Sequence, residues 1–504
     1  MKQLTDYINN FAQVKTDFPF LIHGDHIITY SQAYSLIQSL SEKLQSDGLK
    51  PGQTAGILFD NCPEYVIVYL AIMNCGAVAT LLPHTLSSQD IASLITTTRV
   101  STLFYTGKYQ EAIDHLRNLS DKAIKYYILD GDDKQSENLR NLLVVKNSTP
   151  ISNSNIEKNN ALLLFSSGDF KHPKAAVFTH NNLIDTANSC LERFPNNYLF
   201  RAYSSLPFFH FFTITLVINM VIISGGTIII PSDDSLNSLY SAIEKHNVNL
   251  FLGNSAFISE TIAANDNPGL EKVDFFVTAG NVLPQDLKEN IFNKYNAVVM
   301  ETYGIAEAPV IALNLNSVFN EPYSVGKPLS CCEISILDEN SNEVNDGKSG
   351  KLLVRGANTF HHYFDQYQNN NRQLSDWLDT GDIFRQDSEG HLFFEDKQCD
   401  FFYRDGYQVM PKVFDSFVLN YPGIREYTVL NFNSNERPRH NQVKLAIVID
   451  QNSTFSLDDF RTYCENNLPK YLIPDEILLF DNFEKNCLGV VRKSRLSLFE
   501  NIRK

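Results

Sequence analysis

Apolar residues along most of this chain follow two alternating rhythms. Compact apolar runs of strand length give way to longer stretches in which apolar positions return with each helical turn, and glycine, proline or small polar residues mark the changes. The pattern predicts a strand at 27–30, an amphipathic helix at 31–44, a turn through Gly48, Pro51 and Gly52, a buried strand at 54–59, a helix at 64–75 and a strand at 78–82. It repeats with a helix at 87–96, a strand at 102–105, a helix at 110–118 and a strand at 126–129. A polar stretch at 130–160, rich in Asp, Ser and Asn, reads as surface connection. Strands at 162–165, 175–178 and 201–205 follow, then a helix at 209–224, a strand at 227–230, a helix at 235–246, a strand at 250–253, a helix at 284–295 and a strand at 297–301. Such alternation predicts a parallel, doubly wound sheet covered on both faces. Toward the C-terminus the character changes, with short strand and helix runs around Arg355 and then two αβ units, so a smaller second domain is expected from about Asp396.

Composition fits that picture. At 504 residues, 43% hydrophobic and 20% charged, the chain is globular and long enough for a large core plus a further domain. A formal net charge of −16 and a pI near 5.2 argue against a general nucleic-acid surface, which needs a basic stripe. The eight cysteines show no Cys-x-x-Cys spacing and suit reduced thiols in a cytoplasmic protein better than a disulfide framework or a zinc site. No continuous apolar stretch at the N-terminus reads as a signal peptide. The longest apolar run, 211–230, approaches bilayer-spanning length, but Gly225-Gly226 splits it into a helix-like and a strand-like half, so no transmembrane segment is expected.

Candidate chemistry begins between the strands at 162–165 and 175–178. The turn Ser166-Ser167-Gly168 and the lysines Lys171 and Lys174 form a strand, anion-binding loop, strand unit. Hydroxyls and backbone N–H groups of such a turn can converge on phosphate oxygens, and a lysine supplies counter-charge. A Ser/Gly/Lys turn is more often a solvated connection. It is not a Walker loop, since Lys174 follows Pro173 and precedes a strand-like run.

The segment Ser166-Ser167-Gly168-Asp169-Phe170-Lys171-His172-Pro173-Lys174-Ala175-Ala176, followed by Thr179-His180, resembles the phosphate loop of the adenylate-forming superfamily, which includes acyl-CoA and aryl-acid ligases. That loop has the form Thr-Ser-Gly-Thr-Thr-Gly-x-Pro-Lys-Gly-Val, so Asp169-Phe170-Lys171 replaces its centre. Further segments match in order. Leu206-Pro207-Phe208-Phe209-His210 is similar to the Pro-Leu-Phe-His segment at the acyl pocket, where His210 is either a pocket residue or a satisfied structural histidine. Thr278-Ala279-Gly280-Asn281 resembles the turn beside adenine, a plain turn being the alternative. Tyr303-Gly304-Ile305-Ala306-Glu307 resembles Tyr-Gly-x-Thr-Glu, with Ala306 for threonine. An aromatic can stack on a purine, a glycine allows close approach, and the Glu307 carboxylate suits Mg²⁺ held against a triphosphate. Trp377-Leu378-Asp379-Thr380-Gly381-Asp382 matches Trp-x-x-Thr-Gly-Asp, whose last carboxylate accepts the ribose hydroxyls. The stretch from Asp396 to Gly406 stands at the hinge, with Lys397 for the usual arginine. In the last motif Val490 stands where the family has its lysine; Lys485 is the candidate taken to replace it, with Lys493 also near in sequence.

The resemblance implies an α/β chain with a large N-terminal AMP-binding domain, 1–395, of doubly wound mixed and parallel sheets with a β-rich subdomain, and a small mobile α+β domain, 396–504. It implies an ATP- and Mg²⁺-dependent ligase that converts a carboxylic acid to an acyl-adenylate and then to a thioester of coenzyme A or of a carrier-protein phosphopantetheine. Catalytic candidates are Lys174, His210, Glu307 and Lys485; nucleotide candidates are Ser166, Ser167, Gly168, Gly280, Asn281, Tyr303, Gly304, Asp382 and Lys397. The helix after His210 carries no early carboxylate for a substrate ammonium, which turns the expectation from an amino acid to a fatty or aryl acid. The changes at Asp169, Ala306 and Val490 leave a second reading open, a nucleotide- or acyl-binding homologue without ligase activity.

Overall fold

The computed structural model describes residues 2–504 except 120–122, 144–159, 166–173, 234, 265–267, 280–282, 284, 315–323, 339, 345–346, 365–375, 398–401, 405–406, 410, 419–420, 434–440, 451–452, 454, 484–495 and 497–504. The chain is α/β as expected, with two large sheets. The first has eight strands, ordered from one edge as His362–Tyr363, Ala175–Thr179, Asn160–Phe165, Val78–Leu81, Thr54–Leu58, Thr102–Tyr105, Lys125–Ile128 and Glu137–Asn138. The second has thirteen. Its parallel part runs Pro19–His23, Thr227–Ile230, Arg201–Ser204, Leu250–Asn254, Phe275–Ala279, Val298–Ile305. Beyond Val298–Ile305 it continues through antiparallel strands Ala308–Leu313, Ser324–Pro328, Leu392–Lys397, Leu378–Gln386, Gly350–Gly356 and Cys332–Leu337, and at the other edge His26–Thr29 pairs antiparallel with Pro19–His23.

Strand alternation builds the layers. Leu250 and Leu252 face the apolar layer shared by both sheets, while Phe251 between them joins Ile243, Ile258 and Ile291 on the outer face of the second sheet. On the first sheet Ala55 and Ile57 face the shared layer, and Leu103 and Tyr105 face outward onto Ile91, Ile95, Ile113 and Leu116. The helices Tyr30–Ser46, Pro63–Asn74 and His180–Leu191 fill the shared layer. Every residue of Pro63–Asn74 except Glu64 is buried, so its sequence is apolar all round, and proline opens it at a position needing no N–H partner.

The hydrophobic pattern missed the helices Leu4–Val14, His180–Leu191 and Ser255–Ala263 and the strands Pro19–His23 and Phe275–Ala279. The expected helix at 209–224 begins at Phe211, because His210 caps it, and its middle, Ile214–Asn219, is π-helical. It ends at Gly225 in the left-handed region, φ 73°, and the strand Thr227–Ile230 follows. No helix among the described residues is long and apolar enough to cross a membrane. Around Arg355 the described chain consists of strands and turns, without the expected helical runs. The C-terminal sheet, Ile424–Asn433, Asn441–Ile449 and Glu476–Phe480, is separate from both large sheets, and its apolar clusters draw only on residues from Val409 onward.

Candidate active site

The second sheet changes from parallel to antiparallel at Val298–Ile305, and most described candidates gather around that strand. Ala306 and Glu307 form the turn to Ala308–Leu313, and the ladder shifts register between Tyr303 and Ile305. Gly304 sits at the shift: a Cβ there would run into the carbonyl oxygen of Pro309, so only glycine lets the two strands close. The strand expected at 297–301 therefore extends through Tyr303 and presents it inside the sheet.

Tyr303 and Asp382 meet. The tyrosine hydroxyl donates to Asp382 Oδ2 at 2.6 Å, joining motifs that are 79 residues apart. Both are buried, and burial, with the Asp382 carboxylate beside it, pushes the Tyr303 phenol well above its ordinary range, so it stays a donor. The Tyr303 ring packs on Phe384, with centroids 4.5 Å apart. Asp382 is placed by its own motif: the Thr380 hydroxyl accepts its N–H at 3.2 Å and donates to the Leu352 carbonyl at 2.8 Å. Gly381 adopts φ 74°, and Asp379 Oδ1 accepts its N–H. Lys397 pairs with Asp382 across the ladder.

Gly280 and Asn281 lie outside the described residues, but both flanks of their segment are fixed to one strand. Ala279 pairs with Thr302, and the Leu283 N–H donates to Glu301 Oε1 at 3.1 Å. Glu301 also faces the Lys288 ammonium at 3.3 Å, and the two side chains are 2% and 1% exposed. Burial raises the Glu301 carboxyl above its usual range, and the lysine offsets part of that. This pair was not singled out in the sequence, where Lys288 looks like a surface lysine of an amphipathic helix.

Lys174 immediately precedes the strand Ala175–Thr179, which pairs antiparallel with Asn160–Phe165 as expected for a loop-bearing hairpin. Ser166, Ser167 and Gly168 lie outside the described residues. The Lys174 ammonium is 5.3 Å from the centroid of Tyr363, and the Tyr363 hydroxyl donates to Glu307 Oε1 at 3.0 Å. Tyr363 carried no signal in the sequence.

His210 is the N-cap of its helix: Nδ1 accepts the Phe212 N–H at 3.2 Å, so any ring proton belongs on Nε2. Burial pushes its pKa down to about 4, leaving a neutral imidazole stacked on Phe211 and Phe212. Asn61 fixes the segment before it, its Oδ1 accepting the Phe208 N–H at 2.7 Å and its Nδ2 donating to the Leu206 carbonyl at 3.1 Å. Around it stand Phe208 against Tyr65 and Phe209 against His84. Lys485, Lys493 and Val490 lie outside the described residues.

Among the described residues the carboxylate of Glu307, on a turn beside the lysine-bearing hairpin, suits Mg²⁺, which takes one or two protein carboxylates and draws its other ligands from phosphate and water.

A model of the AMP-binding enzyme family matches residues 8–364. The crotonobetaine/carnitine–CoA ligase of Salmonella arizonae is 22% identical, over 98% of each chain. The feruloyl-CoA synthase of an Amycolatopsis species is 24% identical, over 94% of each chain. Among solved structures, the amide bond synthetase of Marinactinospora thermotolerans superposes with a TM-score of 0.78 at 17% identity, over 99% of each chain.

Proposed function

The chain belongs to the AMP-binding enzyme family, within the adenylate-forming superfamily, and on that premise we propose that it is an acid–thiol ligase acting on an apolar acid, fatty or aryl. The acid's carboxylate attacks the α-phosphorus of ATP, the bond to pyrophosphate breaks, and an acyl-adenylate forms. A thiol of coenzyme A, or of a carrier protein's phosphopantetheine, then attacks the acyl carbon, and AMP leaves. The observation that carries the reading is the Tyr303–Asp382 bond, which ties two nucleotide motifs into one buried unit at the point where the sheet changes character.

In this reading Asp382 accepts the ribose hydroxyls, Tyr303 holds Asp382 and offers its ring to the base, and the segment of Gly280 and Asn281 lies beside it. Lys174 and the Ser166, Ser167, Gly168 turn face the polyphosphate. Glu307 holds Mg²⁺, which neutralises phosphate charge when bound. The His210 ring, neutral and stacked among phenylalanines, supports an acid without a charged substituent. Lys485 takes the place of the absent lysine at Val490, and Lys397 serves the hinge. The division expected at 395/396 moves to the end of the strand Leu392–Lys397, which belongs to the large sheet, and the small domain beyond it turns between the two half-reactions; the separate apolar clusters from Val409 onward support a division there. Free thiols at Cys62, Cys75, Cys190, Cys331, Cys332 and Cys464 suit the cytoplasm.

Relatives named as CoA ligases along nearly the whole chain favour this reading over a binding homologue without activity. The test is pyrophosphate release with a panel of fatty and aryl acids, by the natural protein and by Val490→Lys, Lys485→Ala and Lys493→Ala. Turnover that Lys485→Ala abolishes supports the displaced lysine; a large gain in Val490→Lys shows the role vacant. No release by any of the four, with AMP binding intact, overturns the ligase reading.

A further inference from the structure

The segment from Phe360 to Phe364 touches two parts of the site at once. On one side it extends the first sheet: His362 pairs with Val177 and Tyr363 with Ala176, while the N–H groups of His361 and Phe364 donate to the Val177 and Ala175 carbonyls at 2.8 and 2.7 Å. On the other it grips the turn of the second sheet. The Phe360 N–H donates to the Glu307 carbonyl at 2.8 Å, and the Tyr363 hydroxyl donates to the Glu307 carboxylate at 3.0 Å. Main chain and side chain of Glu307 are thus both held by one short segment, itself hydrogen-bonded to the strand that leaves the lysine-bearing loop.

We propose that Tyr363 is a positioning residue that sets the Glu307 carboxylate toward the nucleotide's polyphosphate, in register with Lys174. Three details support this. A phenol O–H donating to a carboxylate oxygen restricts the rotamer of a glutamate on a turn, which is otherwise costly in side-chain entropy. The ring of the same tyrosine lies 5.3 Å from the Lys174 ammonium, so one side chain touches both the lysine and the glutamate. Finally, the strand His362–Tyr363 is the edge of the first sheet, so that arrangement is referred to both sheets.

The inference rests on the reading of Glu307 as the Mg²⁺ ligand, and two variants keep the two claims apart. Mn²⁺ serves as the probe, its binding to the full-length protein with a non-hydrolysable ATP analogue followed by electron paramagnetic resonance, alongside AMP affinity by calorimetry. Tyr363→Phe keeps the ring against Lys174 and removes only the hydroxyl. It is expected to weaken Mn²⁺ binding roughly tenfold, the scale of one hydrogen bond to a charged group, and to leave AMP affinity unchanged. A loss of stability alone would lower both together. Glu307→Gln should weaken Mn²⁺ further. If Glu307→Gln weakens Mn²⁺ and Tyr363→Phe does not, the positioning role is wrong while the metal reading stands. If Glu307→Gln leaves Mn²⁺ binding unchanged, the metal reading falls and takes this proposal with it.

Discussion

Replacing Asp382 tests the nucleotide site with the least ambiguity, because its environment separates binding from folding. Its Oδ2 accepts the Tyr303 hydroxyl at 2.6 Å in a buried setting, 4% and 8% exposed for the two residues. Asp382→Ala leaves that phenol buried without this acceptor, which costs about 1–3 kcal/mol of stability. It also removes the acceptor proposed for ribose. A charge-assisted bond of about 1.5–3 kcal/mol corresponds to a roughly 10- to 150-fold loss of AMP affinity. Asp382→Asn separates the two: its amide oxygen still accepts from Tyr303, so stability is expected to stay close to that of the natural protein. Affinity should still fall, since a neutral acceptor makes bonds about half as strong. AMP titration by calorimetry reads the affinity, and urea unfolding reads the stability. Trp377, the only tryptophan, gives a second readout, because it is 38% exposed, lies on the same segment and is stacked with the Arg355 guanidinium at 4.5 Å. AMP affinity unchanged in both variants, each still unfolding cooperatively, would refute the assignment.

Acid should destabilise the fold through two buried histidines. Burial holds His180 and His210 at about 4 against an ordinary 6.5, so the unfolded chain binds more protons as pH falls. Their contribution is complete above pH 6.5, is lost on the way down through 4, and by pH 5 has fallen by about 2 kcal/mol for each. Urea midpoints between pH 7 and 5 measure it, and His180→Leu should remove about half of the slope; an unaltered slope counts against burial as the cause. Lys288→Met strands the Glu301 carboxylate and should cost about 3–5 kcal/mol, most of it recovered in Lys288→Met/Glu301→Leu. A double variant no more stable than the single in urea would show that the pair is not what that stability depends on. Gly304→Ala forces a methyl into the Pro309 carbonyl and should cut pyrophosphate release at least tenfold, through displacement of Glu307, while Mn²⁺ binding weakens in parallel. Normal kinetics in that variant would show that the bulge tolerates a side chain.

The sequence was most readable where the reason for a residue is local. The run Thr227–Ile230 needs only its own apolar content to read as a strand, and Gly225-Gly226 needs only the left-handed turn before it. Trp377 to Asp382 likewise carries its own geometry, since Thr380 and Asp379 hold the backbone of the two residues that follow them. Elements missed were those whose pattern gives no local contrast. Phe275–Ala279 is a buried parallel strand with no alternation to detect, and His180–Leu191 carries His, Asn and Thr on a buried face that periodicity scores as polar. His210 was left between two readings because its capping bond is formed only once the helix is in place.

What no local reading supplies is the set of bonds that convert motifs into a site. Tyr303 to Asp382, Tyr363 to Glu307 and Glu301 to Leu283 each join residues that only sheet topology brings together, and each ends on the strand Val298–Ile305 or its turn. That concentration bears on the three departures from the family pattern. In the proposed reading the motifs of Asp169, Ala306 and Val490 serve the polyphosphate, whereas Tyr303 and Asp382 serve the nucleoside and form a buried pair in which altering one member takes a hydrogen-bond partner from the other. A pair of that kind resists piecemeal change because each step costs stability. Groups that meet phosphate only during the reaction cost rate instead, and another cation on the same loop or on a moving domain can restore it. In the proposed reading Lys171, two residues after Asp169, and Lys485 are the candidates for such a cation.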